Sequence, residues 1–177
     1  MKLFADRCSI RQKYLNSYKN VFSEFVYTAA NKGIDISFKA IDDSVISDLK
    51  NQWQSSTFDW PALFRKYRRF CKRVDFALYY NDQLIALLYG KASVRRRVLR
   101  VDYIEATSKE LRPPNLTEIA AMVLATIEEI GKQLDSEFVA LRNPTNERVC
   151  LHYSKYEYSF DVKFDGARAK TMYKKIR

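Results

Sequence analysis

The sequence predicts a mixed α/β sandwich: a mostly antiparallel sheet of about seven strands, flanked by helices, with an extra helix at the N-terminus. Two observations predict it. Helical spacing of 3.6 and strand alternation of 2 take turns along the chain, which is the pattern of a layered α/β domain. The 177 residues are 47% hydrophobic and 14% aromatic, enough to fill one core and far from the composition of a disordered chain.

The elements follow in order. Tyr14, Tyr18, Val21, Phe22, Phe25 and Ala29 recur at helical spacing. Ser9 and Gln12 read as a capping box before them, and Asn31-Lys32-Gly33 as a C-cap after them. Residues 1–33 are therefore expected to be a helical extension to a single domain spanning 1–177. Ile34, Ile36, Phe38 and Ala40 alternate as a strand does. Ser44 is expected to cap a short helix bearing Val45, Leu49 and Trp53, and Asp59 a second one bearing Trp60, Leu63, Phe64, Tyr67 and Phe70. The stretch FALYYNDQLIALLYGKASVRRRVLRVDYIEATS reads as a three-stranded meander, with Asn81-Asp82 at its first turn and Arg95-Arg96-Arg97 at or beside its second. Residues 116–134 carry one apolar stripe and form the clearest helix. Phe138–Leu141 is a short strand of the buried type. A helix opening at Asn146 follows. Tyr158, Phe160, Val162 and Phe164 then alternate toward Asp165-Gly166, a hairpin signal, and a final strand runs to Ile176.

Composition excludes several classes of function. No apolar run approaches the roughly 20 residues that span a bilayer, and the start of the chain lacks a secretory h-region. Cys8, Cys71 and Cys150 are odd in number and show no C-x-x-C spacing, so a disulfide framework or zinc ribbon is not expected and a reducing cytoplasm fits. His152 is the only histidine, which leaves no histidine cluster for a metal. The formal net charge of +10 points to an acidic partner.

Asn146-x-x-Val149-x-x-x-Tyr153-x-x-x-Glu157-Tyr158 is similar to N-x-x-A-x-x-x-Y-x-x-x-G-F, a motif of the GNAT acetyltransferases, and the order of elements from about residue 34 onward resembles that fold. The resemblance implies acetyl-CoA, or another acyl-CoA, as donor and an amine as acceptor. It implies that Tyr153 protonates the departing thiolate, and that Asn146 belongs to the cofactor site. The chemistry is sound, since a phenol within hydrogen-bond reach can supply that proton. Packing of Tyr153 in the core with a satisfied hydroxyl is the alternative. The segment Tyr103-Ile104-Glu105-Ala106 matches the strand whose backbone holds the thioester in the family, which places Ile104 and Ala106 at the cofactor. Glu105 and Asp102 are candidates for relieving the amine of its proton. Three apart on a regular strand, they face opposite sides, so one alone is expected in the cleft, and Glu105 is favoured over Asp102. The alternative for Glu105 is a solvated or salt-bridged carboxylate.

The family's pyrophosphate loop reads R/Q-x-x-G-x-G/A. Here the same place holds Arg112-Pro113-Pro114-Asn115-Leu116-Thr117. Arg112 is kept, Asn115 and Thr117 stand at the glycine positions, and Pro113 and Pro114 have no N–H to donate. Either coenzyme A binds through altered contacts at Arg112, Asn115 and Thr117, or this is a plain helix start with Asn115 as N-cap and Glu118 at N3.

The stretch FRKYRRFCKR at 64–73 holds six basic residues and no acid. On one helix, Arg65, Arg68, Arg69 and Lys72 would share a face, an electrostatic footprint for an acceptor or for nucleic acid, or else an ordinary solvated face. The expectation from sequence is an acyl-CoA-dependent N-acyltransferase. The alternative is a non-catalytic protein of the same fold that binds nucleic acid or a protein partner through this basic face. An acetyltransferase acting on charged tRNA would join the two.

Overall fold

The computed structural model describes residues 2–93, 97–111, 119–162 and 167–177; for residues 2–8 and 109 only the backbone is described. Six strands form one sheet in the order β1 (Ile36–Lys39), β2 (Arg73–Tyr80), β3 (Gln83–Ala92), β4 (Val98–Ala106), β5 (Phe138–Arg142) and β6 (Thr171–Lys175). Every neighbouring pair is antiparallel except β4 and β5, which run parallel. Parallel neighbours need a crossover. It is supplied by α4 (Ile119–Gln133).

Among the described residues the sheet has six strands and not about seven. The alternating stretch that begins at Tyr158 makes a single bridge, Ser159 to Tyr173, and residues 163–166, with the expected Asp165-Gly166 hairpin, lie outside the described residues. Asn81 and Asp82 both adopt left-handed backbone, with φ of 45° and 60°, so the β2–β3 hairpin closes as the Asn-Asp pair predicts.

The two faces of the sheet are covered differently. Helix α1 (Lys2–Ala30), α4 and α5 (Glu147–Ser154) lie over one face, where Val74, Phe76, Leu88, Leu99, Val101, Ile127 and Val139 are buried in a single apolar core. Helices α2 (Asp43–Gln52) and α3 (Trp60–Tyr67) cover the other, over an aromatic cluster of Trp53, Trp60, Tyr67, Tyr79 and Tyr89. Three helix boundaries differ from the sequence reading. Helix α1 begins by Lys2, so Ser9 and Gln12 lie inside it and form no cap. Asp42 and not Ser44 caps α2, accepting the N–H groups of Ser44 and Val45 at 3.0 Å each. Helix α3 stops at Tyr67. Residues 68–72 are turns, closed by Phe70 N–H to Tyr67 O and Arg73 N–H to Phe70 O. Asp59 caps α3 as expected, accepting from Ala62 N–H at 2.9 Å, and Gly33 ends α1 with φ of 70°, the left-handed residue that a helix C-cap calls for.

Strand β1 pairs only with residues 77–80 of β2, which leaves the edge of β2 near Arg73 without a strand partner. Helix α1 covers it. The Tyr18 hydroxyl donates to Arg73 O at 2.5 Å, as does Arg11 Nη1 at 2.7 Å. Beside them Asp75, 1% exposed, pairs with Arg11 Nη2 at 2.6 Å and Arg73 Nε at 3.0 Å and accepts from Ile41 N–H at 3.2 Å. Covering an unpaired edge in this way removes a template for aggregation, and the paired, hydrogen-bonded state is what lets a carboxylate stay buried.

Candidate active site at the splayed strands

Strands β4 and β5 run side by side only from Val98 opposite Phe138 to Val101 opposite Leu141. Beyond that β4 continues to Ala106 while β5 ends at Arg142, and the gap opens into a cleft of about 450 Å³. Its walls are Asp102–Glu105 of β4, Leu141–Thr145 after β5, Val149 and Tyr153 of α5, and Thr57 and Phe58 from the loop before α3.

A β-bulge prepares this gap. Val101 opposes Gly90 and Tyr103 opposes Tyr89, so Asp102 is an extra residue with no partner on β3. The bulge inverts the alternation of the strand. Before it, Arg97 O accepts from Phe138 N–H, so the odd-numbered backbone groups face β5. After it, Thr107 N–H donates to Ile85 O, so the odd groups face β3 and the even ones, Ile104 and Ala106, face the open gap. The strand therefore turns backbone donors and acceptors toward the gap at Ile104 and Ala106, the two residues the family resemblance assigned to the cofactor, and Ile104 lines the cleft. Gly90 makes the close approach feasible: a Cβ there would collide with the Arg100 carbonyl oxygen.

The same bulge corrects the expectation that Asp102 and Glu105 face opposite sides. Two successive side chains, Asp102 and Tyr103, lie on the α3 face, and Glu105 follows on it. Asp102 pairs there with Arg100 Nε at 2.7 Å and Arg142 Nη1 at 3.6 Å. Both carboxylates line the cleft. Neither stands unengaged. Glu105 accepts from Ser56 Oγ at 2.9 Å, Thr57 N–H at 2.5 Å and Trp60 Nε1–H at 2.7 Å. These bonds fasten the loop that carries Thr57 and Phe58 to β4, and Phe58 packs edge-on against Tyr103 at 5.2 Å between centroids.

Tyr153 lies half-buried on the opposite wall. Among the described residues its hydroxyl makes no hydrogen bond. Burial, followed by the neighbouring Cys150, pushes its pKa up to about 12, so the phenol holds its proton throughout the neutral range. Tyr158 contrasts with it: fully buried, it donates to Glu128 Oε1 at 3.1 Å. Glu157 stands where the family motif has glycine, and it adopts φ of 68°, the conformation for which glycine is the default. Its carboxylate meets Lys174 Nζ at 3.2 Å. Asn146 caps α5, with its side-chain oxygen accepting from Val149 N–H at 3.0 Å.

Arg112, Asn115 and Thr117 lie outside the described residues, as do Pro113, Pro114, Arg95 and Arg96. The shorter α3 divides the four basic residues at 64–73. Arg65 is on the helix, Arg68 is its C-cap, and Arg69 and Lys72 are in the turns that follow, so they form no single helical face. Arg65, Arg68 and Arg69 are exposed, and Lys72 is half-buried. Sequence reasoning missed Arg142 and Asp102 as neighbours, because their contact depends on the bulge. Among the described residues there is no helix long and apolar enough to cross a membrane.

No family model matches the chain, and no curated protein matches it. Solved structures do. Ard1 of Thermoplasma volcanium superposes with a TM-score of 0.57 at 11% identity, over 79% of this chain and 97% of its own. An acetyltransferase of the GNAT family from Staphylococcus aureus gives 0.57 at 10%, over 80% and 99%. The ribosomal-protein-S18-alanine N-acetyltransferase of Escherichia coli gives 0.54 at 9%, over 78% and 90%. The chain has the fold of the GNAT acetyltransferases.

Proposed function

We propose that residues 1–177 form one catalytic domain, an acyl-CoA-dependent N-acyltransferase with acetyl-CoA as the first donor to test, working in the cytoplasm. The observation that carries this reading is the opened edge of β4, where Ile104 and Ala106 turn backbone groups toward the gap and Ile104 and Tyr153 line the cleft from its two sides. A bound acyl-CoA would supply the activated acyl carbon. Ile104 and Ala106 would hold the acyl and pantetheine portions by hydrogen bonds of the kind a strand makes to its neighbour. Arg112, Asn115 and Thr117 would meet the pyrophosphate, and Asn146 would border the site through its side-chain amide. Tyr153 Oη holds a proton within the cleft and is suited to deliver it to a thiolate, since burial keeps the phenol neutral. Glu105 enters this reading as a positioning residue. Its oxygens already accept three hydrogen bonds, and the loop it fastens forms the acceptor side of the cleft.

Titration with acetyl-CoA tests the reading. Binding to the folded state raises the melting temperature by mass action, and Arg112→Ala is expected to weaken binding while leaving the melt of the free protein unchanged. A melting curve that stays flat across millimolar acetyl-CoA would sink the enzyme reading and leave the non-catalytic alternative, in which the basic surface is the working part.

A further inference from the structure

One row of directly opposed residues crosses the α3 face of the sheet: Arg73, Lys91, Arg100, Ala140 and Tyr173, on β2, β3, β4, β5 and β6. Its first three members are cations. Like charges directly opposite on neighbouring strands, some 5 Å apart, destabilise a sheet. The outer two are compensated, Arg73 by Asp75 and Arg100 by Asp102. Lys91, between them, makes no ion pair among the described residues. Its ammonium instead lies 5.4 Å from the ring centroid of Phe70, with the Arg69 guanidinium 5.5 Å from the same centroid.

Two more cations converge on it. Arg142 reaches Asp102 from the wall of the cleft. Arg168 stands at the β6 end of the row, its backbone N–H donating to the Tyr173 hydroxyl at 2.9 Å, and the row offers only the methyl group of Ala140 between Arg100 and Tyr173. Burial first, then Arg100, with Arg142 and Arg168 adding to it against the pull of Asp102, lowers the pKa of Lys91 below its ordinary value. Such a concentration of like charge is costly unless an anion relieves it, and it opens onto the cleft through Arg142 and Asp102.

We infer that Lys91, Arg100, Arg142 and Arg168 bind a phosphate group on the acceptor molecule, so that the amine to be acylated is carried by a phosphorylated substrate. This rests on the acyltransferase reading for the word acceptor and not for the anion site itself. Several cations grouped along one row, Arg100 and Arg142 beside the same carboxylate and Lys91 opposite Arg100, offer donors for the several oxygens of a phosphate, and charge-assisted hydrogen bonds to it are the strong kind. The site lies on the face opposite α4, whereas the cofactor pyrophosphate in the proposed function belongs at the start of the 116–134 segment.

The test uses the intact chain, with inorganic pyrophosphate and a single-stranded RNA oligonucleotide as probes, titrated by calorimetry with and without acetyl-CoA. Both probes are expected to bind and to lose at least about tenfold in affinity in Lys91→Gln and in Arg142→Gln, the worth of one charged hydrogen bond. Unchanged melting curves of these variants show that the fold survives. The probes also separate the two sources of phosphate. If the acceptor is a small phosphate ester, the two probes bind comparably. If it is a nucleic acid, the oligonucleotide binds far tighter, with a steep salt dependence that Arg68→Gln and Arg69→Gln reduce. The inference is overturned if neither probe binds, if Lys91→Gln binds both as well as the parent, if acetyl-CoA displaces pyrophosphate, or if a poly-glutamate peptide binds as tightly as the phosphates. Probe binding without acetyl-CoA binding would keep the anion site and remove the acyltransfer reading.

Discussion

The two faces of this sheet are built from different materials. On the α1/α4/α5 face the core side chains are mostly apolar: Leu99, Val101, Val139 and Ile127 pack, and the polar groups turned toward the cleft are backbone of the opened strand and the Tyr153 hydroxyl. On the α3 face the side chains are aromatic and charged, and Asp75, Asp102 and Glu105 each hold cations or hydrogen-bond donors in place. The difference teaches where each half of the candidate reaction belongs. An acyl thioester needs a dry groove and backbone hydrogen bonds. A polar acceptor needs fixed charges that steer it and a loop that shapes its approach.

The largest effect is expected on the α1/α4/α5 face, from a pair of tyrosines packed in the same core. Tyr153→Phe keeps the ring and its packing and removes the proton, so turnover is expected to fall by about two to four orders of magnitude with the melt little changed. Tyr158→Phe removes the bond to Glu128 and is expected to cost about 1 kcal/mol of stability while sparing turnover. Steady-state kinetics beside thermal melts read both. Equal losses of turnover in the two variants would mean that the effect is structural and the assignment of roles is wrong.

Next in size is the charged tie on the α3 face. Asp75→Ala leaves Arg11 and Arg73 together without their counter-charge and is expected to destabilise by roughly 3 kcal/mol, read as a lowered denaturant midpoint. An unchanged midpoint would show that α1 is held to the β2 edge by its apolar packing and the Tyr18 hydrogen bond.

Glu105→Gln is expected to have a smaller effect, because glutamine still accepts through one oxygen. As a positioning residue, Glu105 is expected to show a raised acceptor KM with kcat within a few-fold of the parent, and the Thr57–Phe58 wall loosened. A fall in kcat of two or more orders of magnitude at unchanged KM would instead make it the base.

The smallest effect at neutral pH belongs to the buried phenols. Burial raises Tyr153 and Tyr67 to about 12 and Tyr18, Tyr79, Tyr89 and Tyr158 above the ordinary value as well. A group whose folded pKa is raised contributes stability that is complete below its unfolded value, near 10 for tyrosine, and lost as pH rises through the folded value. Stability is therefore expected to be insensitive to these groups below about pH 10 and to fall between about 10 and 12. Phenolate absorbance is expected to rise together with the loss of circular dichroism. Titration of most tyrosines near pH 10 in a protein still folded would contradict their burial.

Much of the apolar face was legible because its signals are local. The stripe along α4, the Asn81-Asp82 turn and the Gly33 cap each depend on residues within a few positions of one another. The motif at Asn146–Tyr158 was legible for the same reason, and the φ of 68° at Glu157 explains why a glycine belongs at that place. The α3 face was not legible to that degree. The run of basic residues at 64–73 looked like one helix because periodicity cannot see that α3 ends at Tyr67, where the chain must turn to enter β2. The strand expected after Tyr158 alternates correctly, but among the described residues it finds a partner at Ser159 alone.

By itself the sequence determined most of the order of elements, since this follows from periodicity and turn chemistry along the chain, and its resemblance to the GNAT motif pointed to the tyrosine that lines the cleft. Tertiary structure decided which groups share a face. One extra residue in β4, Asp102, inverts the alternation of the strand, and a bulge is defined by its partner strand and not by its own residues. That single shift turns Ile104 and Ala106 toward the gap, brings Asp102 and Glu105 to one side, and opens the strand edge on which the candidate site is built. The row from Arg73 to Tyr173 has the same origin: its members are up to 100 positions apart in sequence, and only the register of five strands brings their charges together.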